Sequence, residues 1–229
     1  MRVSVVIPAL DEEGCIAAAI RSAVESGAVE VLVADGGSLD ATREVAEKAG
    51  AVVVEATRGR ARQMNAGAAR ATGEALLFLH ADTLLPPQAA ALVRAALEDP
   101  GVSLGAFSYH PAASGLFGLT LRTGARLRLR LTGHPYGDQG LFVRRETFRA
   151  VGGFADLPVM EDWEIVSRLR RLGRVVILRE PALTSAKSFE DNGLLRSTIV
   201  NAAVIAGFRL GVDPARLASW RRRIARRAG

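Results

Sequence analysis

VSVVIPALDEE at residues 3–13 and VEVLVADGGSLD at residues 29–40 are the two stretches that decide the fold of this chain. Each begins with a short run of β-branched and apolar residues and ends in acidic ones, and an alanine-rich segment with helical spacing separates them. Continuous apolar runs of this length are typical of strands buried on both faces of a parallel sheet. The alternation predicts an α/β fold, with a mainly parallel sheet flanked by helices.

The same alternation continues along the 229 residues of the chain. Strands are expected at residues 3–8, 29–35, 51–55, 74–79, 102–109, 140–143 and 174–178. Helices are expected at residues 12–26, 39–49, 59–71, 86–97, 116–131, 146–151, 162–172, 194–210 and 213–227. The helix at 116–131 is rich in arginine, and we expect these arginines on one of its sides.

The charge of the chain is unevenly distributed. Thirty basic and 24 acidic residues give a formal net charge of +6, and all but two of the basic residues are arginine. The tail from residue 216 contains no acid, which leaves the rest of the chain neutral and argues against a basic nucleic-acid-binding domain. The expected helix of this tail contains Leu217, Trp220 and Ile224, and its arginines form either a solvated face or a peripheral contact with anionic lipid. The six arginines of the tail are Arg216, Arg221, Arg222, Arg223, Arg226 and Arg227.

The cysteine content and the hydropathy pattern narrow the class of protein further. Cys15 is the only cysteine, which excludes an intrachain disulfide and a cysteine-rich metal site. No apolar run approaches the roughly 18 residues of a membrane-spanning helix, and the N-terminal run is too short for a signal peptide. We therefore expect a soluble cytoplasmic protein that binds no nucleic acid, with the inner face of the membrane as a candidate contact for its tail.

Acidic residues gather where the first two predicted strands end. Ligands of parallel α/β sheets bind beyond the carboxyl ends of the strands. Asp11 and Glu12 follow the first strand, and their carboxylates can accept hydrogen bonds from a base or a ribose. Asp35 ends the second strand, and the two glycines after it allow a ligand to approach the backbone. Helix capping is the alternative for both clusters, because the same residue types favour it.

The stretch LFLHADT at residues 77–83 delivers His80 and Asp82 to the same edge of the sheet. Residues two apart on an extended segment face the same side, so the imidazole and the carboxylate are candidates for one cation site. Mg²⁺ and Mn²⁺ prefer oxygen ligands and bind between one or two carboxylates and a diphosphate. The alternative is an acid that caps the following helix.

Two further patterns could contribute to a site. Of Glu161 and Asp162 in VMEDWEI, one can cap a helix while the other points into a cleft as a general base. A neighbouring carboxylate raises the pKa of such a base, which suits proton abstraction near neutral pH. A plain acidic first turn of the helix is the alternative. Arginines in RGRARQMNAG at residues 58–67 can hold phosphate oxygens or form a solvated face. GDQG at residues 137–140 places Asp138 and Gln139 between glycines, where a simple turn is the alternative.

In this order and spacing, the motifs resemble the family-2 glycosyltransferases, which have the GT-A fold with a Rossmann-like sheet. The resemblance covers residues 1–180 and rests on SVVIPALDEE, VLVADGGSLDAT, ARQMNAGAARATGEALLFLHADT, GLFVRRETFRAVGGF and MEDWEI. RGRARQMNAGA, FLHADT, GDQGLFVRR and PVMEDWE are similar to a bacterial subgroup associated with arsenosugar biosynthesis. The resemblance implies one GT-A domain over residues 1–229, with a nucleotide-binding sub-region at 1–100, an acceptor and catalytic sub-region at 101–190 and C-terminal helices at 191–229.

The resemblance also implies roles for individual residues. The family's DxD metal motif matches HAD, so Asp82 is expected to hold Mg²⁺ or Mn²⁺ while His80 replaces the first aspartate. The family's ED pair matches Glu161 and Asp162, with Asp162 as the base. The donor nucleotide is expected against Pro8, Ala9, Asp11, Glu12, Asp35, Gly36, Arg60, Asn65, His80 and Ala81, and the acceptor against Asp138, Gln139 and Trp163. Many members have a metal-binding histidine after the ED pair, but here the last histidine, His134, precedes it. Water, or neutralisation of the diphosphate charge by Lys187 or an arginine, would substitute for that histidine.

The function implied is that of a metal-dependent inverting glycosyltransferase, which moves a sugar from a UDP- or GDP-sugar to an acceptor hydroxyl. One alternative is a nucleotidyltransferase on a related sheet, although a glycine- and lysine-rich loop would then normally follow the first strand. Another is a non-catalytic binder of nucleic acid or a membrane surface that acts through the arginine tail. The chain has no GxxxxGK[ST] motif and no GxGxxG after the first strand, which argues against nucleoside-triphosphate hydrolysis and dinucleotide binding.

Overall fold

The computed structural model describes residues 1–226, except for the side chains at positions 188, 192, 225 and 226. Its strands are β1 (Val3–Ala9), β2 (Glu30–Asp35), β3 (Val52–Glu55), β4 (Ala75–Phe78), β5 (Thr83–Leu84), β6 (Val102–Pro111), β7 (Leu141–Arg144) and β8 (Arg174–Thr184). Its helices are α1 (Ile16–Glu25), α2 (Thr42–Lys48), α3 (Arg60–Arg70), α4 (Ala89–Glu98), α5 (Gly115–Thr132), α6 (Arg145–Ala150), α7 (Glu161–Leu169), α8 (Lys187–Asn192), α9 (Leu194–Arg209) and α10 (Pro214–Arg226). The strands form an eight-stranded sheet in the order β3-β2-β1-β4-β7-β6-β8-β5.

The N-terminal half of the sheet is parallel, as the apolar runs predict. β1 lies between β2 and β4, and β3 pairs with β2. Alternate residues of β1 enter two hydrophobic cores: Val5 and Ile7 belong to one, and Val6 belongs to the other. Because both faces are covered, the polar segments that follow β1, β2 and β4 are left at one edge of the sheet, where ligands of such folds bind.

The C-terminal half makes the sheet mixed, although parallel neighbours still outnumber antiparallel ones. β7 runs antiparallel to β4 and β6, and β5 runs antiparallel to β8. β8 continues to Thr184, beyond its predicted end at residue 178, because its pairing with β6 resumes after an irregularity with Ser108 opposite Pro181. Pro181 interrupts the apolar pattern, so the sequence does not indicate this continuation. It brings Thr184 and Ser185 to the edge of the sheet where the candidate site lies.

Three helices begin three or four residues later than predicted. α1 begins at Ile16 rather than at residue 12, because Asp11 adopts a left-handed backbone conformation with φ 56°. The acids at 11–13 therefore lie in the loop after β1, where their backbone N–H groups donate hydrogen bonds to Ser38, Thr42 and Asp40. The predicted acidic first turn of α1 is wrong. α2 and α4 begin at Thr42 and Ala89 rather than at residues 39 and 86, and the short elements β5 and α8 lacked a sequence signal.

The arginines of α5 do not all share one side of the helix, contrary to expectation. Arg126 and Arg130 are exposed, whereas the guanidinium of Arg128 lies 3.4 Å above the ring centroid of Tyr136. Successive helical residues are rotated by about 100°, so residues 126 and 130 face one way and residue 128 faces another. One arginine of the helix thus departs from the predicted single side and stacks on Tyr136.

The two C-terminal helices, α9 and α10, pack against each other. Gly207 permits the close approach, because a Cβ at this position would lie 2.8 Å from Cδ2 of Leu217. Leu217 and Ala218 are buried, and Arg196 donates a hydrogen bond to the backbone carbonyl of Ile224. The apolar side of α10 therefore faces the protein; Arg227 of the predicted tail lies outside the described residues. Among the residues that the structure describes, no helix is long and apolar enough to cross a membrane.

Candidate active site

A cleft of about 590 Å³ opens at the carboxyl end of β4. Its walls come from the segment after β4, the turn Gly137–Gln139, the start of α7, the end of β8, and helices α9 and α10. Acidic and basic side chains are equally represented in this lining. The acids are Asp82, Asp138, Glu161 and Asp162, and the arginines are Arg60, Arg128, Arg196 and Arg221. The cleft therefore presents opposite charges to any ligand that enters it.

The loops after β1 and β2 form a neighbouring part of the same edge and are held together by hydrogen bonds. Asp35 is completely buried, and its carboxylate accepts hydrogen bonds from the backbone N–H groups of Gly37 and Ser38, the Ser38 hydroxyl and Arg43 Nε. These donors lower its pKa, although burial alone would raise it. Asp35 thus supports the loop from a buried position, whereas Gly37 of the same loop is exposed.

Gln63 on α3 fixes the ends of β1 and β2 to each other. Its amide nitrogen donates to the carbonyl oxygens of Ala9 (2.7 Å) and Ala34 (2.9 Å). A Cβ on Gly36 would lie 3.0 Å from this amide, so a side chain at Gly36 would crowd Gln63. The predicted nucleotide-binding residues therefore lie at the end of β1 and on the loops after β1 and β2, which share one support that the sequence did not indicate. They are Pro8, Ala9, Asp11, Glu12 and Gly36.

His80 and Asp82 follow β4, as predicted, and both line the cleft. Ala81 between them is buried in the core. Burial lowers the pKa of His80 to about 3, and the positive charge of Arg60 adds to this effect, so the ring is neutral at neutral pH. Burial also raises the pKa of Asp82, yet its side chain stays open to the cleft. Asp82 forms no ion pair within the described part of the chain.

Glu161 and Arg60 form an ion pair between α7 and α3, with Oε1 and Nη1 3.0 Å apart. The Glu161 side chain is 4% exposed and that of Arg60 is 50% exposed, so the carboxylate depends on its partner more than the guanidinium does. Burial raises the pKa of Glu161, and the charge of Arg60 opposes that rise. The pair holds the start of α7 against the start of α3.

We expect Arg60→Ala to lower the free energy of unfolding by about 1–3 kcal/mol, because a buried carboxylate loses its charged partner. Urea denaturation followed by circular dichroism measures this difference. Arg62→Ala is the matched control, since Arg62 pairs with Asp156 on the surface with both side chains half exposed. Such surface pairs contribute about 0–1 kcal/mol. Equal losses in the two variants would contradict the role given to the Arg60–Glu161 pair.

Asp162 directs its carboxylate into the cleft from the first turn of α7. Its Oδ1 accepts a hydrogen bond from its own helix at Trp163 N, and its Oδ2 accepts one from Gly137 N at 3.0 Å. Gly137 is required here, because a Cβ on it would lie 2.7 Å from His80 Nε2. Met160, immediately before α7, has a left-handed φ of 68°, which is uncommon outside glycine and is frequent at functional sites. The turn and the helix thus fix the carboxylate beside His80.

Other predicted site residues support the cleft without lining it. Gln139 is buried, and its amide donates to Phe107 O and accepts from Tyr136 N. Trp163 is buried and stacks on His134 with ring centroids 4.1 Å apart. Asn65 uses both ends of its amide on the backbone of Phe154. Of the predicted acceptor residues, the structure therefore brings only Asp138 into the cleft lining described here.

Sequence reasoning missed Arg128, Tyr136 and Arg221, although all three line the cleft. The sequence predicted a solvated face or a lipid contact for the arginine tail, whereas Arg221 of this tail lines the cleft. Burial lowers the pKa of Arg221, and the positive charge of Arg60, which lines the same cleft, contributes to that shift. The only signal in the sequence was the interruption of the helical arginine stripe at residue 128, because contacts between distant segments leave no local pattern.

Comparison with known structures defines the class of protein. The chain is similar to glucosyl-3-phosphoglycerate synthase from Mycobacterium tuberculosis, with 25% identity over 79% of this chain and 70% of that one, at a TM-score of 0.57. A mycobacterial protein is 28% identical over 80% of this chain and 65% of its own length, with a TM-score of 0.57. Staphylococcus aureus TarS shares the fold alone, at 18% identity and a TM-score of 0.65, over 81% of this chain and 60% of its own. No curated protein matches the chain.

These similarities and the observed topology define the fold as that of the GT-A glycosyltransferases. The sequence profile of the family described as glycosyl transferase family 2 matches residues 4–154, which is more than half of the chain. The chain belongs to glycosyl transferase family 2 and is a glycosyltransferase.

Proposed function

We propose that this glycosyltransferase moves a sugar from a nucleoside-diphosphate donor to an acceptor hydroxyl, with inversion at the anomeric carbon. The observation that carries the proposal is the cleft itself, in which the carboxylates of Asp82 and Asp162 face a common space. One is suited to the diphosphate end of a donor, and the other is suited to the acceptor end. The mycobacterial synthase, which is 25% identical, was crystallised with Mn²⁺, UDP and its glucosylated product, which supports a nucleotide-sugar donor here.

The nucleotide is proposed to lie on the loops after β1 and β2, within the sub-region of residues 1–100. Pro8, Ala9, Asp11, Glu12 and Gly36 would contact it, with Ala81 behind the diphosphate. Asp35 would act by shaping these loops, and Asn65 would act by holding α3 against the backbone of Phe154, since the polar atoms of both side chains already bond to protein. UDP and GDP both remain candidate nucleotides of the donor, because no contact described for these loops distinguishes uracil from guanine. Lys187 is proposed to face the diphosphate, since Ser185, two residues earlier, donates a backbone hydrogen bond to Asp82 O.

The residues around Asp82 fit a divalent cation that is shared with the donor. No group of three or more His, Cys, Asp or Glu side chains converges into a complete metal site in the described ranges. Mg²⁺ and Mn²⁺ are nevertheless commonly held by one or two carboxylates together with substrate phosphates and water. Asp82 would supply the carboxylate, and the neutral ring of His80 is available beside it. Such a cation stabilises the negative charge of a departing diphosphate. The mycobacterial synthase has been crystallised with UDP and either Mn²⁺ or Mg²⁺.

Asp162 is proposed to act as the general base. Its carboxylate takes the proton of the acceptor hydroxyl as that oxygen forms a bond to the anomeric carbon. The bond between the anomeric carbon and the diphosphate oxygen breaks on the opposite face, and its electron pair leaves with the nucleoside diphosphate. Gly137 N–H and the start of α7 keep the carboxylate oriented, and Glu161 with Arg60 keeps α7 in place.

A binding and product assay tests the proposed function. UDP, GDP, UDP-glucose and GDP-mannose are titrated calorimetrically into the protein, with Mn²⁺ or with EDTA. We expect the nucleotides of one base, uracil or guanine, to bind, with higher affinity when Mn²⁺ is present. The anomer released first during slow hydrolysis of the bound donor, followed by proton NMR, reports inversion or retention. The proposal fails if neither base binds under either condition, and inversion fails if the released sugar keeps the donor configuration.

Two finer assignments originate in the sequence. The arsenosugar-type subgroup is proposed from RGRARQMNAGA, FLHADT, GDQGLFVRR and PVMEDWE. Peripheral contact with the inner face of a membrane is proposed only through Arg216, Arg222 and Arg223, which are exposed. Leu217 and Ile224 are not available to a bilayer in this arrangement, since the first is buried and the second lines the cleft. A cytoplasmic location is retained as part of the same proposal.

A further inference from the structure

Three buried polar atoms have no hydrogen-bond partner within the described residues, and all three belong to side chains of the active-site cleft. They are Arg128 Nε, Tyr136 Oη and Asp138 Oδ1. Buried polar atoms in folded proteins are nearly always paired with protein or ordered water, so an unpaired group requires an explanation. A cluster of three in one cleft indicates a place where a ligand supplies the missing partners.

The three side chains are held in place by their surroundings. The guanidinium of Arg128 stacks on the ring of Tyr136, at 3.4 Å from its centroid, as in a cation–π pair. Tyr136 N donates to Gln139 Oε1, and Thr184 Oγ1 donates to the carbonyl oxygen of Asp138 at 2.8 Å. The turn that bears Tyr136 and Asp138 is therefore fixed to β8 on one side and to Arg128 on the other.

Arg128 and Asp138 carry opposite charges in one cleft, yet they form no ion pair in the part of the chain that the structure describes. The guanidinium of Arg128 and the carboxylate of Asp138 are therefore too far apart for a direct ion pair. The unpaired atoms include an N–H donor, a carboxylate acceptor and a phenol that does both. Hydroxyl groups, which donate and accept, match this set, and a sugar ring presents several of them on adjacent carbons.

The position of Asp138 relates this set to the transfer reaction. The residue before it, Gly137, donates its N–H to Asp162 Oδ2 at 3.0 Å. On the other side, Thr184 Oγ1 donates to Asp138 O, and the next residue, Ser185, donates its N–H to the carbonyl oxygen of Asp82. Burial raises the pKa of Asp138 to about 6 against the opposing charge of Arg128, and the negative charges of Asp162 and Asp82 add to the rise. In an in-line displacement the transferred group lies between the leaving group and the attacking oxygen. Asp82 is at the proposed diphosphate end and Asp162 is at the proposed acceptor end, and the turn that bears Asp138 is hydrogen-bonded to the segments of both, so Asp138 is placed to contact the group transferred between them.

We propose that Arg128, Tyr136 and Asp138 form the subsite that binds the hydroxyl groups of the sugar ring being transferred. The inference rests on the proposed function, since it assumes a nucleotide-sugar donor in this cleft. Asp138 accepts hydrogen bonds from ring hydroxyls, Arg128 Nε donates a hydrogen bond to one of them, and Tyr136 Oη can donate or accept a further one. The acceptor, which also bears a hydroxyl, lies on the other side of the ring beside Asp162.

The test compares two ligands that differ only in the sugar. Calorimetry with Mn²⁺ gives the Kd of UDP and of UDP-glucose (or of GDP and GDP-mannose, if guanosine is the base that binds) for wild type, Tyr136→Phe and Asp138→Asn. We expect the Kd of the nucleoside diphosphate to stay unchanged in both variants, which also shows that they are folded. The Kd of the nucleotide sugar rises about three- to tenfold in Tyr136→Phe, and about tenfold or more in Asp138→Asn, because a hydrogen bond to a charged group is the stronger one.

Arg128→Gln, with Arg126→Gln as its matched control on the exposed side of α5, completes the series. We expect only the first to weaken binding of the nucleotide sugar. The inference is overturned if the ratio of the two Kd values stays at its wild-type value in both Tyr136→Phe and Asp138→Asn. It is also overturned if that ratio is unchanged while the KM of an acceptor rises, since the subsite would then belong to the acceptor. Absence of nucleotide binding in wild type would instead refute the proposed function.

Discussion

Asp162→Asn is expected to reduce turnover by about 10²–10⁴-fold, which is the usual contribution of a positioned general base. The amide keeps the size of the side chain but cannot take the proton from an acceptor hydroxyl. Its single oxygen can still accept the hydrogen bond from Gly137 N–H, so the turn that passes beside His80 keeps its support, while the hydrogen bond from Trp163 N is lost. Binding of the nucleotide donor is therefore expected to stay close to that of wild type. Steady-state rates of nucleoside-diphosphate release, with donor and acceptor saturating, measure the effect.

Glu164→Gln is the matched control for this prediction. Glu164 lies on the same helix as Asp162, but it pairs with Arg168 and does not line the cleft. Its replacement is expected to leave turnover unchanged, because it removes a carboxylate from the same helix without touching the proposed acceptor position. Unchanged turnover in Asp162→Asn, with an unaltered circular dichroism spectrum, would remove Asp162 as the base.

Asp82→Asn is expected to abolish the effect of divalent cations on donor binding. In wild type the nucleoside diphosphate should bind more tightly with Mn²⁺ than with EDTA, since the carboxylate and the phosphates share the cation. Removal of a direct carboxylate ligand should weaken binding in Mn²⁺ by at least the roughly 10–100-fold that loss of an outer-shell partner costs. Titration of each nucleotide with Mn²⁺ and with EDTA measures the ratio of the two affinities.

Asp156→Asn is the control for the cation experiment, because Asp156 is an exposed aspartate that pairs with Arg62 away from the cleft. It should leave the ratio of affinities at its wild-type value. In Asp82→Asn the affinity in EDTA should also stay near that of wild type, since the loops after β1 and β2 are untouched. A cation effect of wild-type size in Asp82→Asn would show that Asp82 does not hold the metal.

Much of the fold follows from local sequence patterns. Val3–Ala9 and Glu30–Asp35 form strands where the apolar runs predict them, because burial on both faces of a parallel sheet requires an unbroken apolar segment. The positions of His80 and Asp82 follow as well, since a segment that leaves β4 must emerge at the ligand-binding edge. The boundaries of α1 and the length of β8 could not be predicted. They depend on hydrogen bonds between loops and on strand pairing across an irregularity.

In the candidate site, too, the sequence indicates some features and only the tertiary structure shows the others. Asp35 is marked by the sequence as a residue at the ligand-binding edge, but only the tertiary structure shows that its carboxylate is used by Gly37, Ser38 and Arg43. The sequence of VMEDWEI marks two adjacent acids without distinguishing them. The structure pairs Glu161 with Arg60, 101 residues away in the chain, and leaves Asp162 facing the cleft.

The sequence by itself determined the class of fold, the edge of the sheet that carries the site, and the acids that follow its strands. These are consequences of hydrophobic periodicity and of chain direction, which act over a few residues. The tertiary structure alone decided which charges are paired, which polar atoms remain unpaired, and that Arg221 of the tail faces the cleft. Pairing and burial depend on contacts between segments far apart in the chain, and no local pattern of residues encodes such contacts.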